Sequence, residues 1–230
     1  MIRTVEALNY RCLRYIRQNL NRYQLLVGPN ASGKTTFLDI VDFLGNLVSD
    51  GLEVAIGKRA QSWNDLVWER KFGSFQLAIE LKVPDEELTK LEKPEYSVVR
   101  YEVEVGFHEE TKELGILEEK LLLKAPRPEV NVTQRSLFPE QRAAPETIMT
   151  ATGASGKKTI VNKVRGGNDN FYAETGKGWD HAFKLGPRKS ALANAPEDET
   201  KFPVTTWIKN LLSGGVQRLI LNSLAMRNTS

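Results

Sequence analysis

Apolar and polar positions alternate with a period of two through the middle of the chain. Phe75, Leu77, Ile79 and Leu81 form one such series. Val99, Tyr101, Val103, Val105 and Phe107 form a second, set against Arg100, Glu102 and Glu104, and residues 117–124 form a third. This period turns one face of each segment toward a core. With short turns between them, the three segments predict antiparallel strands. Upstream the spacing is helical. Phe37, Leu38, Ile40, Val41, Leu44, Leu47 and Val48 share a face, and Gly51 follows as a stop signal. Residues 3–10 and 13–16 read as strands. The apolar run 23–27 (YQLLV) reads as a buried strand ending at Gly28. Residues 52–67 read as a helical stretch holding Arg59 and Trp63, with Trp68 just beyond. Residues 157–164 and 170–174 read as a last strand pair joined through Gly166 and Gly167, and 205–212 as a helix. Residues 125–156 carry Pro126, Pro128, Pro139 and Pro145 with Gly153 and Gly156 and show little periodicity, which predicts a mobile loop or insertion.

Composition narrows the class. The chain has 230 residues, of which 40% are hydrophobic and 27% charged, as in ordinary soluble globular proteins. A single cysteine, Cys12, excludes an internal disulfide framework and fits a reducing cytosol. The first residues have no apolar signal core, and no apolar run has bilayer length. A cytoplasmic protein without a membrane partner is expected. The net charge of +3 is compatible with nucleic acid but does not argue for it.

The strand-to-helix junction carries the chemistry. Gly28, Pro29, Asn30, Ala31, Ser32, Gly33, Lys34 and Thr35 fit the phosphate-binding pattern G-x-x-x-x-G-K-[ST]. Phosphates need several donors converging on a small volume. A loop of small residues can turn its backbone N–H groups inward, and a helix start adds unpaired N–H groups and a positive dipole end. Lys34 can reach the β- and γ-phosphates, and the Thr35 hydroxyl can ligate Mg²⁺. Gly33 lets the backbone approach closely. Coincidence in a chain of this length has roughly a 1% chance at average residue frequencies, less once a strand before and a helix after are required. The loop therefore predicts binding of ATP with Mg²⁺.

The match extends beyond the loop. Asn9-Tyr10-Arg11, a second short strand, then Gly28 to Thr36 and a helix resemble the opening of ABC-type ATPases of the RecF, SMC and OLD group, in particular bacterial AAA family ATPases with an OLD-like core. The resemblance covers residues 1 to about 125 well and the rest loosely. It implies an α/β fold: a P-loop NTPase core sheet with an antiparallel β subdomain, as an incomplete ABC-type ATPase head. The expected organisation is one N-terminal ATPase lobe over 1–230. Within it lie a P-loop strand-helix core (1–70), the antiparallel subdomain (71–125), the mobile loop (126–156) and return strands with a helix (157–230). The resemblance adds Thr36 to the nucleotide-binding residues. It also places Arg11 near the phosphates, the alternative being a solvated strand arginine. It implies ATP clamped between subunits, in a homodimer or with a partner supplying the C-terminal ATPase lobe. Relatives with links to DNA repair or antiviral (phage) defence make DNA a possible partner.

Other family features match less well. Leu212-Ser213-Gly214-Gly215 is similar to the ABC signature, with residues 216–227 as the helix behind it; the alternative is a turn leading into a strand. No Walker B motif is found. Its nearest imitation, Leu114-Gly115-Ile116-Leu117-Glu118-Glu119, sits among antiparallel strands and reads better as a solvated strand face. His108 and His181 are in the wrong order for a switch histidine, and Gln134 is only a guess for the Q-loop. No catalytic residue is assigned. Trp63 and Trp68 could stack on a base or pack in the core. Lys157, Lys158, Lys163 and Arg165 could contact a DNA backbone or line a solvated strand face. Asn131-Val132-Thr133 fits a glycosylation pattern that has no meaning without secretion. Two competing functions stay open. One is a non-hydrolysing interaction protein that uses ATP as a structural ligand. The other is another P-loop enzyme such as a nucleotide kinase; a GTPase is disfavoured because Asn162-Lys163-Val164-Arg165 lacks the base-reading Asp. Hydrolysis by this chain alone is expected to be slow or absent.

Overall fold

The computed structural model describes residues 1–126, 143–176 and 179–217, with Trp179 and Asp180 by their backbone alone. Its fold is mixed α/β. An eight-stranded antiparallel sheet is built from β1 (Ile2–Tyr10), β2 (Leu13–Asn19), β3 (Ser74–Lys82), β4 (Val98–Phe107), β5 (Leu114–Lys124), β6 (Lys157–Lys163), β7 (Asp169–Tyr172) and β8 (Trp179–Phe183), in the order β2-β1-β3-β4-β5-β6-β7-β8. The helices are α1 (Lys34–Ser49), α2 (Leu52–Gly57), α3 (Asp85–Leu88) and α4 (Pro203–Gly214).

The two faces of the sheet differ as the alternation requires. On one face Val5, Phe75, Leu77, Ile79, Tyr101, Val103 and Leu121 join Phe37, Ile40, Phe43, Leu44 and Leu47 of α1 in the main core. Tyr10, Phe43 and Phe75 meet with ring centroids 4.9–6.0 Å apart, a favourable aromatic spacing. α4 crosses α1 at Gly45, where a Cβ would stand 3.0 Å from the Leu212 carbonyl oxygen. The bare backbone at Gly45 is what allows this close crossing.

The opposite face is polar, but it is not solvated. Glu6, Gln76, Glu80, Arg100, Glu102, Lys120 and Lys124 are all buried. Residues 147–150 cross this face and are tied down by the side chains beneath. Gln76 Oε1 accepts from Ile148 N at 2.7 Å, Arg100 Nη2 donates to Ile148 O at 2.9 Å, Glu102 accepts from Thr150 N at 2.5 Å, and Lys120 donates to Thr150 O at 2.8 Å. At 147–150 this tie-down differs from the expectation of a mobile loop. Buried strand charges need partners, and the crossing backbone supplies them. Residues 127–142 lie outside the described residues.

Two further expectations are corrected. Residues 52–67 are not one helix: α2 ends at Gly57, and short 3-10 turns follow at Trp63–Asp65 and Trp68–Arg70. The run 23–27 forms no strand and is not buried. Tyr23, Leu25 and Val27 are 83%, 69% and 83% exposed, while Leu26 turns inward to the core.

Candidate nucleotide site

Helix α1 starts without a side-chain cap. Gly33 precedes it with φ +88°, and the first intrahelical bond runs from Phe37 N to Gly33 O at 2.8 Å. The amides of Lys34, Thr35 and Thr36 precede that bond, so this end of the helix is suited to an anion. Glycine suits position 33 for its backbone conformation, and the space beside it is tight. Its φ is left-handed, and an added Cβ would stand 3.1 Å from Leu13 Cδ2. The Lys34 ammonium folds back over the loop, donating to Gly28 O at 2.7 Å, Pro29 O at 2.6 Å and Ser32 Oγ at 3.3 Å. These neutral acceptors are weaker than a phosphate oxygen. Gly28 to Ala31 and Thr35 are exposed, and Thr36 is half-buried with its Oγ1 accepting from Cys12 Sγ at 3.2 Å.

Beside the loop lies an open cleft of about 620 Å³, lined by Arg11, Cys12, Thr36, Asn64, Asp65, Val67, Glu69, Arg70 and Lys71. Its walls are joined where Arg11 N donates to Leu66 O at 2.9 Å and Tyr10 bridges to Val67. Arg11, Ala31, Glu69 and Arg70 all take left-handed φ values of 50–63°. Such non-glycine conformations are costly and gather at functional sites.

Asp39, on α1, ties these parts together. Its buried carboxylate accepts from Tyr10 Oη at 2.6 Å, Arg11 Nη1 at 3.2 Å and Arg59 Nε at 2.8 Å. Arg59 also binds Asp42 at 2.7 Å and Asn46 at 3.0 Å. Burial, and then the adjacent Asp39 carboxylate, push the Tyr10 phenol well above the usual tyrosine range, so it remains a donor.

Arg11 is therefore brought to α1, where it bonds Asp39, and it lines the cleft together with Thr36. The other candidates fall elsewhere. Glu118 and Glu119 lie on β5, separated from β1 by β3 and β4. Glu119 is not on a solvated face. It is fully buried and accepts from Tyr101 Oη, Ser190 Oγ, Ala191 N and Leu192 N at 2.6–3.0 Å. Ser213 and Gly214 belong to the last turn of α4 and not to a helix start. The negative dipole end they occupy does not favour phosphate. Residues 216 and 217 are not helical, and the rest of 216–227 lies outside the described residues, as do Gln134 and residues 131–133. His108 and His181 do not line the cleft.

The cations of the β6–β7 hairpin are engaged within the chain. Lys163 is buried on Asp169 at 2.7 Å, Arg165 binds Glu104 at 3.0 Å, and Lys158 donates to Glu174 O at 2.8 Å. Lys157 lies 3.5 Å from Thr150 Oγ1. Trp63 stacks on Phe75 at 5.4 Å, which is core packing, and Trp68 tilts against Phe72 at 5.9 Å. The sequence reading missed Asp39 and the wall at 64–71. Asp39 had a usable signal, being an acid among the apolar positions of α1, four residues after Thr35 and thus on its face. The wall had none, since its left-handed residues are not glycines.

Comparison with known proteins adds the following. The model of the AAA ATPase domain family matches residues 1–190. No curated protein matches the chain. Among solved structures, one described as "Structural biochemistry of ATP-driven dimerization and DNA stimulated activation of SMC ATPases" is similar at 16% identity. The likeness covers 55% of this chain and 70% of that one, with a TM-score of 0.37, too low to fix a shared fold. No helix among the described residues is long and apolar enough to cross a membrane.

Proposed function

We propose, from the premise that the chain belongs to the AAA ATPase domain family, that it is the ATP-binding lobe of an ABC-type ATPase. The phosphates sit at Gly28 to Thr36, and Arg11 faces them from the β1–β2 turn. The observation that carries this reading is the uncapped start of α1, with Lys34 and Thr35 in its first turn, opening beside a cleft. Lys34 supplies the charge-assisted donor to the β- and γ-phosphates, and the Thr35 hydroxyl is the Mg²⁺ ligand that this chain contributes. The cleft takes the nucleoside.

Beside the phosphate loop and the cleft, each described carboxylate is paired with a cation. Asp65 and Glu69 are paired with Arg70 and Lys71, and Asp39 and Asp42 are held by Arg59. Tyr23, Leu25 and Val27 face solvent on the segment leading into the loop. Both facts support a second ATPase lobe, in a longer chain or a partner subunit, that covers this segment and supplies a free carboxylate. Nucleotide is then clamped between subunits, and the chain alone turns over slowly or not at all. The same pairing favours a second reading, in which ATP is a structural ligand that is never hydrolysed. A place in DNA repair or antiviral defence rests on the resemblance alone.

Calorimetric titration with Mg-ATP tests the binding reading. Lys34→Ala removes a charge-assisted contact worth about 1.5–3 kcal/mol, a loss of tenfold or more in affinity. Equal affinity in the two proteins would overturn it. Thr35→Ala is expected to weaken the Mg²⁺ dependence.

A further inference from the structure

Resting on the reading that Arg11 faces the nucleotide, we propose that Asp39 is the positioning residue that aims Arg11 at the phosphates. Three observations carry this. The first is asymmetry in how the two arginines on Asp39 are held. Arg59 is 4% exposed and is fixed from several sides by Asp39, Asp42, Asn46 and the Ala55 carbonyl. Arg11 is 36% exposed, and its guanidinium makes a single contact among the described residues, Nη1 to Asp39 Oδ2 at 3.2 Å. A guanidinium has five N–H donors in a fixed fork. One is spent on Asp39, and the others are left to meet a ligand.

The second is the backbone. Arg11 stands at φ 51°, a conformation that a non-glycine residue keeps only when its surroundings impose it. Here the bond from Arg11 N to Leu66 O and the contact with Asp39 do so together. The third is placement. Asp39 lies one helical turn beyond Thr35 on α1, so the carboxylate that holds Arg11 is rigidly attached to the residues that hold the phosphates. Tyr10 Oη donates at 2.6 Å to the same Oδ2 oxygen and fixes its direction. Arg59 neutralises the buried carboxylate, which lets Arg11 lean toward an anion without leaving Asp39 an unpaired buried charge.

A double-mutant cycle on Mg-ATP affinity, read by calorimetry, tests the inference. The proteins are wild type, Arg11→Ala, Asp39→Asn and the double variant. Arg11→Ala is expected to weaken binding about tenfold, the size of a charge-assisted contact. Asp39→Asn is expected to weaken it several-fold, and Arg11→Ala to add little in the Asp39→Asn background. Asp42→Asn disturbs the same buried network through Arg59 but leaves the bond from Arg11 to Asp39, and is expected to bind like wild type. Should Asp39→Asn not fold, Tyr10→Phe frees the same Oδ2 oxygen and carries the same cycle with a smaller effect.

Additive losses, or an Asp42→Asn loss as large as that of Asp39→Asn, would reduce Asp39 to a structural residue and overturn the inference while leaving the Arg11 reading intact. Loss of binding in Lys34→Ala with none in Arg11→Ala would remove the Arg11 reading, and the inference with it. Absence of binding in wild type would sink both.

Discussion

Residues 23–27 and strand β4 both have the apolar content of a buried strand, yet they end in opposite environments. β4 is hydrogen-bonded on both edges, to β3 and β5, and buried along Val98 to Gly106. The run YQLLV has no strand partner among the described residues, and four of its five residues stand in solvent. Apolar side chains show that a segment is suited to burial. They do not show that the surface burying it lies within the same chain. The antiparallel part of this molecule is closed by its own residues, while the approach to the phosphate loop presents an apolar row with nothing against it among the described residues.

The closed region should be the fragile one under mutation. Glu119→Ala would leave the Tyr101 and Ser190 hydroxyls and the amides of Ala191 and Leu192 without their acceptor in a buried site. Each orphaned group costs about 1–3 kcal/mol, so a loss of about 4 kcal/mol in urea unfolding is expected after partial relaxation. A loss below about 1 kcal/mol, the range of an ordinary surface change, would erase the contrast between the two regions.

Glu174 gives the closed region a pH signature. Its carboxylate accepts from Val204 N, Thr205 N and Thr205 Oγ1 at the start of α4. Burial pushes it up to about 7 from an ordinary 4.5, outweighing the hydrogen bonds that pull the other way. The folded state therefore binds more protons than the unfolded state between these values. The stabilisation is fully present below 4.5 and is lost as pH rises through 7. At about 1.4 kcal/mol per unit the full span is about 3 kcal/mol. The difference in unfolding free energy between wild type and Glu174→Gln should shift by that order over this window, with wild type gaining toward acid. A difference that stays flat with pH would show that the carboxyl does not change its proton occupancy on folding.

The smallest effect is expected in the open region. Leu25→Asp should change stability by less than about 0.5 kcal/mol, as for other exposed positions, and leave Mg-ATP binding by the isolated chain intact. A destabilisation approaching that of Glu119→Ala would show that this chain buries the segment after all.

What the sequence made legible follows the range of the interactions. The strands β3, β4 and β5 and the helix α1 announce themselves because their periodicity is local, and the phosphate loop because its glycines and Lys34 stand at fixed spacing. Arg11 could be named from its neighbours Asn9 and Tyr10, but its hold on Asp39 spans 28 positions. The crossing segment at 147–150 shows no local signal of its order for the same reason. Its anchors Gln76, Arg100 and Glu102 lie 48 to 72 positions away, and each holds a backbone group that any residue would offer. The break after Gly57 was hidden because Ala60, Trp63, Leu66 and Val67 keep a helical apolar spacing while the backbone turns through short 3-10 segments.

The order of the sheet has a consequence for how the chain is made. From β3 to β8 spatial order equals chain order, and only the pairing of β1 with β3 reaches across the phosphate loop and α1. The turns from β4 to β5, β6 to β7 and β7 to β8 close short loops, whereas β5 and β6 pair across residues 125–156; a low sequence separation of contacts goes with fast folding. During synthesis β4, β5, β7 and β8 each meet their predecessor soon after emerging, while β6 must wait for residues 125–156, in the N-to-C sequence by which chains fold as they are made. The scaffold can thus be complete while residues 20–33 still lie open, so that building the platform and loading it are separate events in time.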